Sequence, residues 1–237
     1  MKKIILSMAL IASATSALAS DLTVSGNGSP KISYIESRGA APKISVGAEA
    51  STLGLGFNIK ANLTNQIGIK GSYNKFDYST SATQEGIDYD IDLGLNSMGL
   101  ALEYKPMASS GMFLTAGVRQ NKNNASLTAS IDQSITIGDT TYTANDIATL
   151  EGKVTFKKYA PTLGIGYDKE ILPGLNLTGS LGAMMQGSAN VDFNVTGPLA
   201  DDATLQNEVA KEAAQLEDAL NKFNIYPVAS LSVTYRF

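Results

Sequence analysis

Between Leu175 and Val195 the chain alternates almost without interruption. The odd positions read Leu175, Leu177, Gly179, Leu181, Ala183, Met185, Gly187, Ala189, Val191, Phe193 and Val195. The even positions include Asn176, Thr178, Ser180, Gln186, Ser188, Asn190, Asp192 and Asn194. A period of two puts these classes on opposite faces of a strand, because successive Cβ atoms point to opposite sides of the pleat. Ordinary strands run about 5–6 residues. A tilted strand that crosses a membrane takes about 9–11 residues for the hydrocarbon alone and can continue past it. The alternation therefore predicts one abnormally long strand with two distinct environments.

The same pattern recurs. Leu53, Leu55, Phe57, Ile59, Ala61 and Leu63 alternate with Gly and polar residues. So do Met112, Leu114, Ala116 and Val118, and Tyr159, Pro161, Leu163, Ile165 and Tyr167. Ile87, Tyr89, Ile91, Leu93 and Leu95 alternate with Asp88, Asp90 and Asp92, after which the apolar phase slips to Met98, Leu100, Leu102 and Tyr104. A one-residue slip predicts a β-bulge near Asn96-Ser97. The strands expected are 43–50, 53–62, 66–78, 86–105, 111–129, 153–168, 174–196 and 225–237. The fold class is all-β, an antiparallel up-and-down transmembrane barrel of eight strands; an extra strand pair within 20–42 would make ten. Connections at 63–66, 106–110 and 170–173 are short. Those at 79–85, 130–152 and 197–224 are longer, matching the short periplasmic turns and longer outer loops of such barrels. A secreted β-sandwich would turn charged groups to water on its polar face. Here that face is rich in Gly, Ser, Thr and Asn, which suits a confined interior.

Composition removes most enzyme classes. With no Cys and no His there is no disulfide framework, thiolate site, imidazole base or catalytic triad. The net charge of −4 argues against nucleic acid, which needs a basic face. No cofactor, metal site or catalytic residue is expected, and the chain is not read as an enzyme. Residues 1–19, with Lys2 and Lys3, an apolar run from Ile4 and the small-residue box Ala17-Leu18-Ala19, have the layout of a cleaved signal peptide. Residues 20–42 are read as an N-terminal periplasmic segment and 43–237 as the barrel, with a helical insert over 201–223.

The ending Ser230-Leu231-Ser232-Val233-Thr234-Tyr235-Arg236-Phe237 resembles the C-terminal assembly signal of Gram-negative outer membrane proteins. Tyr235 and Phe237 stand at its two aromatic positions. With the leader and the strand count, the chain resembles a small eight-stranded barrel of the OmpA or OmpW kind. The resemblance implies export to the outer membrane, with periplasmic chaperones and the barrel assembly machinery as partners during biogenesis, and lipid and lipopolysaccharide as surroundings.

On the inward phase lie Glu49, Lys60, Lys70, Glu103, Arg119 and Arg236. Charges inside a narrow barrel have to pair, because an unpaired desolvated charge is very costly. Eight strands leave a bore that side chains nearly fill, so a static network filling the lumen is favoured over a gate. Asp88, Asp90 and Asp92 resemble a calcium loop in composition only, since the sixth position is Leu93 where such loops need Gly. Over 201–223, Leu205, Val209, Ala213, Leu216, Leu220 and Phe223 recur at three- and four-residue spacing as one apolar stripe. Its bland reading is a cover over the rim; its sharper one is a lid carried by Leu205, Val209, Leu216, Leu220 and Phe223. The function expected is a structural or surface-exposed barrel. The alternatives are a narrow channel for small or hydrophobic solutes with that helix as lid and, disfavoured, an outer-membrane enzyme.

Overall fold

The computed structural model describes residues 43–84, 87–132, 134–137 and 140–237. The expected leader (1–19) and the segment 20–42, with any strands in it, lie outside the described residues. The strands are β1 (Lys43–Ser51), β2 (Gly54–Asn62), β3 (Ile67–Gln84), β4 (Ile87–Tyr104), β5 (Met112–Asn121), β6 (Asn124–Ser130), β7 (Ser134–Ile137), β8 (Thr140–Thr143), β9 (Thr149–Thr155), β10 (Tyr159–Leu172), β11 (Leu175–Met185), β12 (Asn190–Thr196) and β13 (Ile225–Arg236). One helix, α1 (Ala203–Leu220), and a 3₁₀ turn (Asn221–Phe223) precede β13.

Eight of these strands close a ring in the order β4-β3-β2-β1-β13-β11-β10-β5, with β5 returning to β4. Every pairing is antiparallel, and β1 meets β13 from Ser45↔Arg236 to Ser51↔Ser230. The chain is thus a closed up-and-down barrel. Its outer surface is apolar: Leu55, Phe57 and Ile59 on β2, Leu100 and Leu102 on β4, Leu114 on β5, Leu163 and Ile165 on β10, and Leu181 on β11 are all exposed. A belt this large on a water-soluble protein would be an aggregation surface; facing acyl chains it is the required solvent match. Tyr104, Tyr159, Tyr167 and Tyr235 are exposed on the same face. Among the described residues no helix is long and apolar enough to cross a membrane.

The β1–β2 hairpin shows why the rim folds tightly. Gly54 has φ +105°, and a Cβ there would sit 2.5 Å from the Lys75 carbonyl oxygen, so only glycine fits. The Ser51 hydroxyl accepts from Leu53 N–H (3.0 Å) and donates to the Gly54 carbonyl (3.2 Å).

Above the ring the wall does not stop. The upper parts of β3 and β4 continue into a sheet with β6, β9 and β12. This layer has its own core. Ile87, Ala129, Ile131, Ile135, Ile137, Tyr142, Ile147, Leu150 and Val195 pack with Leu205 and Val209 of α1. Beside them Leu127, Val154, Ala189 and Val191 pack with Leu216 and Leu220. The segment 130–152, expected as a loop, contains the β7–β8 hairpin; Thr143 N–H and Oγ1 donate to Asp146 Oδ2 (2.9 and 2.8 Å) just beyond it, holding that carboxyl below the usual carboxylate range. The Asp202 carboxylate caps α1 by accepting from Thr204 and Leu205 N–H (2.9 and 3.0 Å).

Two expectations about strand phase need correction. No bulge lies at Asn96-Ser97: β3 and β4 pair in unbroken register from Ile67↔Tyr104 to Gln84↔Ile87. On the other side β4 runs from Ser97↔Asn121 with β5 to Gly94↔Asn124 with β6, three residues on along each strand. The strand keeps its geometry while its surroundings invert. Below Ser97 even residues meet lipid and odd residues line the polar lumen. Above it the odd residues face the apolar core under α1, and Asp88, Asp90 and Asp92 face water. Conversely, 174–196 is not one strand. β11 turns its odd apolar residues to lipid, whereas β12 turns Val191 and Val195 into the core. Between the pairs Thr162↔Met184 and Thr155↔Asn190, six residues on one strand (156–161) face five on the other (185–189). That one-residue slip, at Gly187 with φ +73°, flips the face while the sequence alternation runs on. Likewise 111–129 divides into β5 and β6, and 153–168 starts within β9 and continues in β10. At this boundary amide side chains replace ladder bonds: Asn123 Oδ1 accepts from Asn96 N–H (2.9 Å) and Asn121 Oδ1 from Asn123 N–H (3.1 Å).

Candidate functional site

The lumen is the candidate site, and its inward side chains stand in layers. At the upper mouth Leu53, carried inward by the β1–β2 turn, packs with Ala160 and Met184, all nearly inaccessible, against Tyr226 and Val228. The turn is tied to β13: Tyr226 Oη donates to the Thr52 carbonyl (2.7 Å) and Thr52 Oγ1 to the Pro227 carbonyl (3.0 Å). This is an apolar layer made from the barrel's own wall.

Below it lies a polar layer centred on Glu49. Its carboxylate accepts from Lys70 Nζ (2.6 Å), Asn58 Nδ2 (3.2 Å) and Asn74 Nδ2 (3.2 Å). Asn74 Oδ1 in turn accepts from Arg119 (2.6 Å), whose guanidinium also donates to Ser72 Oγ (2.9 Å) and Ser97 Oγ (3.0 Å). A second charged layer joins Lys60 to Glu103 (2.5 Å) and Asp168 (2.8 Å), with Lys105 also on Asp168 (2.9 Å). Thr178 Oγ1 donates to the same aspartate (2.7 Å), and Lys60 Nζ stands 5.0 Å from the centre of the Phe113 ring. Near the strand ends Arg236 pairs with Glu170 (2.8 Å).

The structure therefore places Glu49, Lys70 and Arg119 in one network and Lys60 with Glu103 in another, while Arg236 stands apart with Glu170. Sequence reading missed Asp168, Lys105 and Glu170. Asp168 and Glu170 were legible: the inward even phase of Ala160, Thr162, Gly164 and Gly166 reaches both when extended past Tyr167. Lys105 directly precedes a segment read as a turn, where strand parity no longer speaks.

Tyr235 and Phe237 sit on the outer face, their rings edge-to-face at 5.1 Å. The helix residues Leu205, Val209, Leu216 and Leu220 are buried against the upper sheet. Phe223 departs from that stripe: α1 ends at Leu220, and Phe223 lies exposed in the 3₁₀ turn. Polar groups at the end of the helix also cover the edge of β12, since Glu217 Oε1 accepts from Val191 N–H (2.9 Å) and Asn221 Oδ1 from Ala189 N–H (3.2 Å). Asp88 and Asp92 accept across the hairpin from Thr83 and Ser79 (2.6 and 2.5 Å). Among the described residues no cluster of acidic side chains is placed to hold a metal.

The barrel is similar to solved structures. CarO2 of Acinetobacter baumannii superposes with a TM-score of 0.56 at 21% identity, covering 83% of this chain and 99% of that one. CarO of the same organism gives 0.55 at 24% identity, covering 81% and 97%. A major outer membrane protein of Thermus thermophilus covers 84% and 100% at 16% identity, with a TM-score of 0.39. The architecture shared with the two Acinetobacter structures is the closed eight-stranded antiparallel barrel. No curated protein matches the chain. The family described as Lsa36-like matches residues 5–233, almost the whole sequence, and the chain belongs to that family.

Proposed function

We propose that this chain is an integral outer membrane protein in which the barrel is a closed anchor and the packed layer above it is the part presented outside the cell. What supports this reading is the layering of side chains inside the ring: the apolar cluster at Leu53, then the Glu49 network, then the Lys60–Glu103–Asp168 cluster. Eight-stranded barrels have bores that side chains can fill. The β2–β3, β4–β5 and β10–β11 connections and the chain's last residues share one end, the periplasmic end by the rule for such barrels, and the tight β1–β2 turn is the exception at the other. The layer with α1 then faces outward, and its surroundings are lipid and lipopolysaccharide. On this reading α1 is a fixed cover. Four apolar side chains and a capped β12 edge hold it to the sheet, and swinging it away would expose both. Catalysis is not part of the role: the lumen carboxylates are engaged by ammonium groups or amides, and the Ser180 and Ser230 hydroxyls bond each other (2.7 Å).

The test is single-channel recording on Ser20–Phe237 refolded into a planar bilayer. The expected result is a folded barrel, shown by heat-modifiable migration, without discrete conductance steps. Regular steps would contradict the closed anchor, and a conductance that stays open on deleting 201–223 would establish the lid.

A further inference from the structure

The charges of the lumen do not balance. Among the described residues the buried layers hold four cations, Lys60, Lys70, Lys105 and Arg119, against three carboxylates, Glu49, Glu103 and Asp168. Lys70 is matched by Glu49, and Lys60 and Lys105 by Glu103 and Asp168. Arg119 is the surplus. Its three hydrogen bonds go to neutral oxygens, and its Nε finds no acceptor in the protein, although the residue is only 8% exposed. Glu49 is the one carboxylate whose field reaches it, and that charge is already paired with Lys70, so the guanidinium lacks a counter-charge of its own.

Arg119 also lines a cavity of about 80 Å³. Around it stand Thr115, Thr162, Ser180 and Ser230, with Gly99 and Gly182 also in its lining. In the Ser180–Ser230 pair one hydroxyl donates to the other, and the second proton is not used in that bond. Glu49 borders the cavity too, but its charge is met by Lys70 and its oxygens by two amides. At roughly 10–15 Å³ for each water-sized occupant, the space suits a small ion with a few waters and not a metabolite. We infer that this cavity binds a monovalent inorganic anion of chloride size, which supplies the counter-charge that the chain's own carboxylates do not give Arg119. The inference does not depend on whether the barrel conducts.

The experiment is urea unfolding of the full barrel in lipid vesicles at constant ionic strength, with chloride replacing gluconate. Binding to the folded state alone makes the unfolding constant fall about tenfold for each tenfold rise in chloride above the dissociation constant. The wild-type protein and Arg119→Lys are expected to show this dependence, and Arg119→Gln to lose it. Crystals of the wild-type protein grown in bromide are expected to give an anomalous peak beside Arg119, which decides the matter even if Arg119→Gln does not fold. A flat chloride response with no bromide peak would overturn the inference. An undiminished response in Arg119→Gln would place the ion elsewhere, and an equal response to sulfate would overturn the monovalent assignment.

Discussion

Removing the carboxylate of Glu49 is expected to cost the barrel about 3–5 kcal/mol, the range for breaking one side of a buried ion pair. Glu49 is 6% exposed and takes three donors at once, from Lys70, Asn58 and Asn74. In Glu49→Ala the Lys70 ammonium keeps its burial and loses its counter-charge, and two amides lose an acceptor. Asn74 also holds Arg119, so the damage reaches the second cation. The companion double variant Glu49→Ala/Lys70→Met separates charge from packing, because replacing both partners of a buried pair with apolar groups is often near neutral. Urea unfolding in vesicles, followed by circular dichroism, should show a large drop in midpoint for the single variant and substantial recovery in the double one. A loss below about 1 kcal/mol for Glu49→Ala would make the pair equivalent to an exposed one, and the lumen would have to be wetter than the structure describes.

The second large effect belongs to the layer above the membrane. Leu205 is fully buried, within one core with Ile87, Ile131, Ile147 and Val195. Leu205→Asp places a carboxylate there with no cationic partner, and burial of an unpaired charge belongs to the rare changes worth more than about 4 kcal/mol. The helix and the β7–β8 hairpin should come loose and become sensitive to protease. The barrel should stay folded, because its eight strands close through ladders that do not include Leu205. Limited proteolysis followed by heat-modifiable migration reads both at once. Cuts between 131 and 148 and between 186 and 224, with a surviving compact barrel, are expected. Loss of the barrel at the same urea concentration as the helix would show that the two layers fold as one unit.

How far the sequence carries the fold depends on which alternation is considered. Along β13 and β2 the apolar phase and the outward face coincide from end to end, so their place in a lipid-facing wall is readable residue by residue. Along β4 the phase slip at Asn96-Ser97 is visible but suggests a change in the backbone, when it is the surroundings that change from lipid to water. Along β11 and β12 the opposite happens. A real one-residue slip at 185–189 is hidden, because the sequence keeps alternating while the strand reverses its faces. A period of two reports which residues share a face, but not which solvent that face meets. For the site, the same limit applies: parity puts Glu49, Lys60, Lys70, Glu103 and Arg119 on the inward face, but does not name their partners. That Lys60 reaches Asp168, 108 positions away, depends on barrel closure and on the stagger between strands, which no local pattern carries. The helix is legible from its apolar stripe and acidic start; its partner surface is not, because the residues it covers have the pattern of a membrane-type strand.

The central claim is that one continuous strand passes from lipid to water without changing its geometry, while its two faces exchange solvents near Asn96. The chain contains no cysteine, so a single-cysteine scan of β4 from Asp88 to Tyr104, spin-labelled in vesicles, reads it directly. Labels at 98, 100, 102 and 104 should respond to oxygen dissolved in the bilayer, and labels at 88, 90 and 92 to a water-soluble nickel relaxant. Labels at 97, 99, 101 and 103 should respond weakly to both. Lipid accessibility at 89, 91 and 93, with 88, 90 and 92 shielded, would mean that the upper half of β4 also faces the membrane, and the packed outer layer would be wrong.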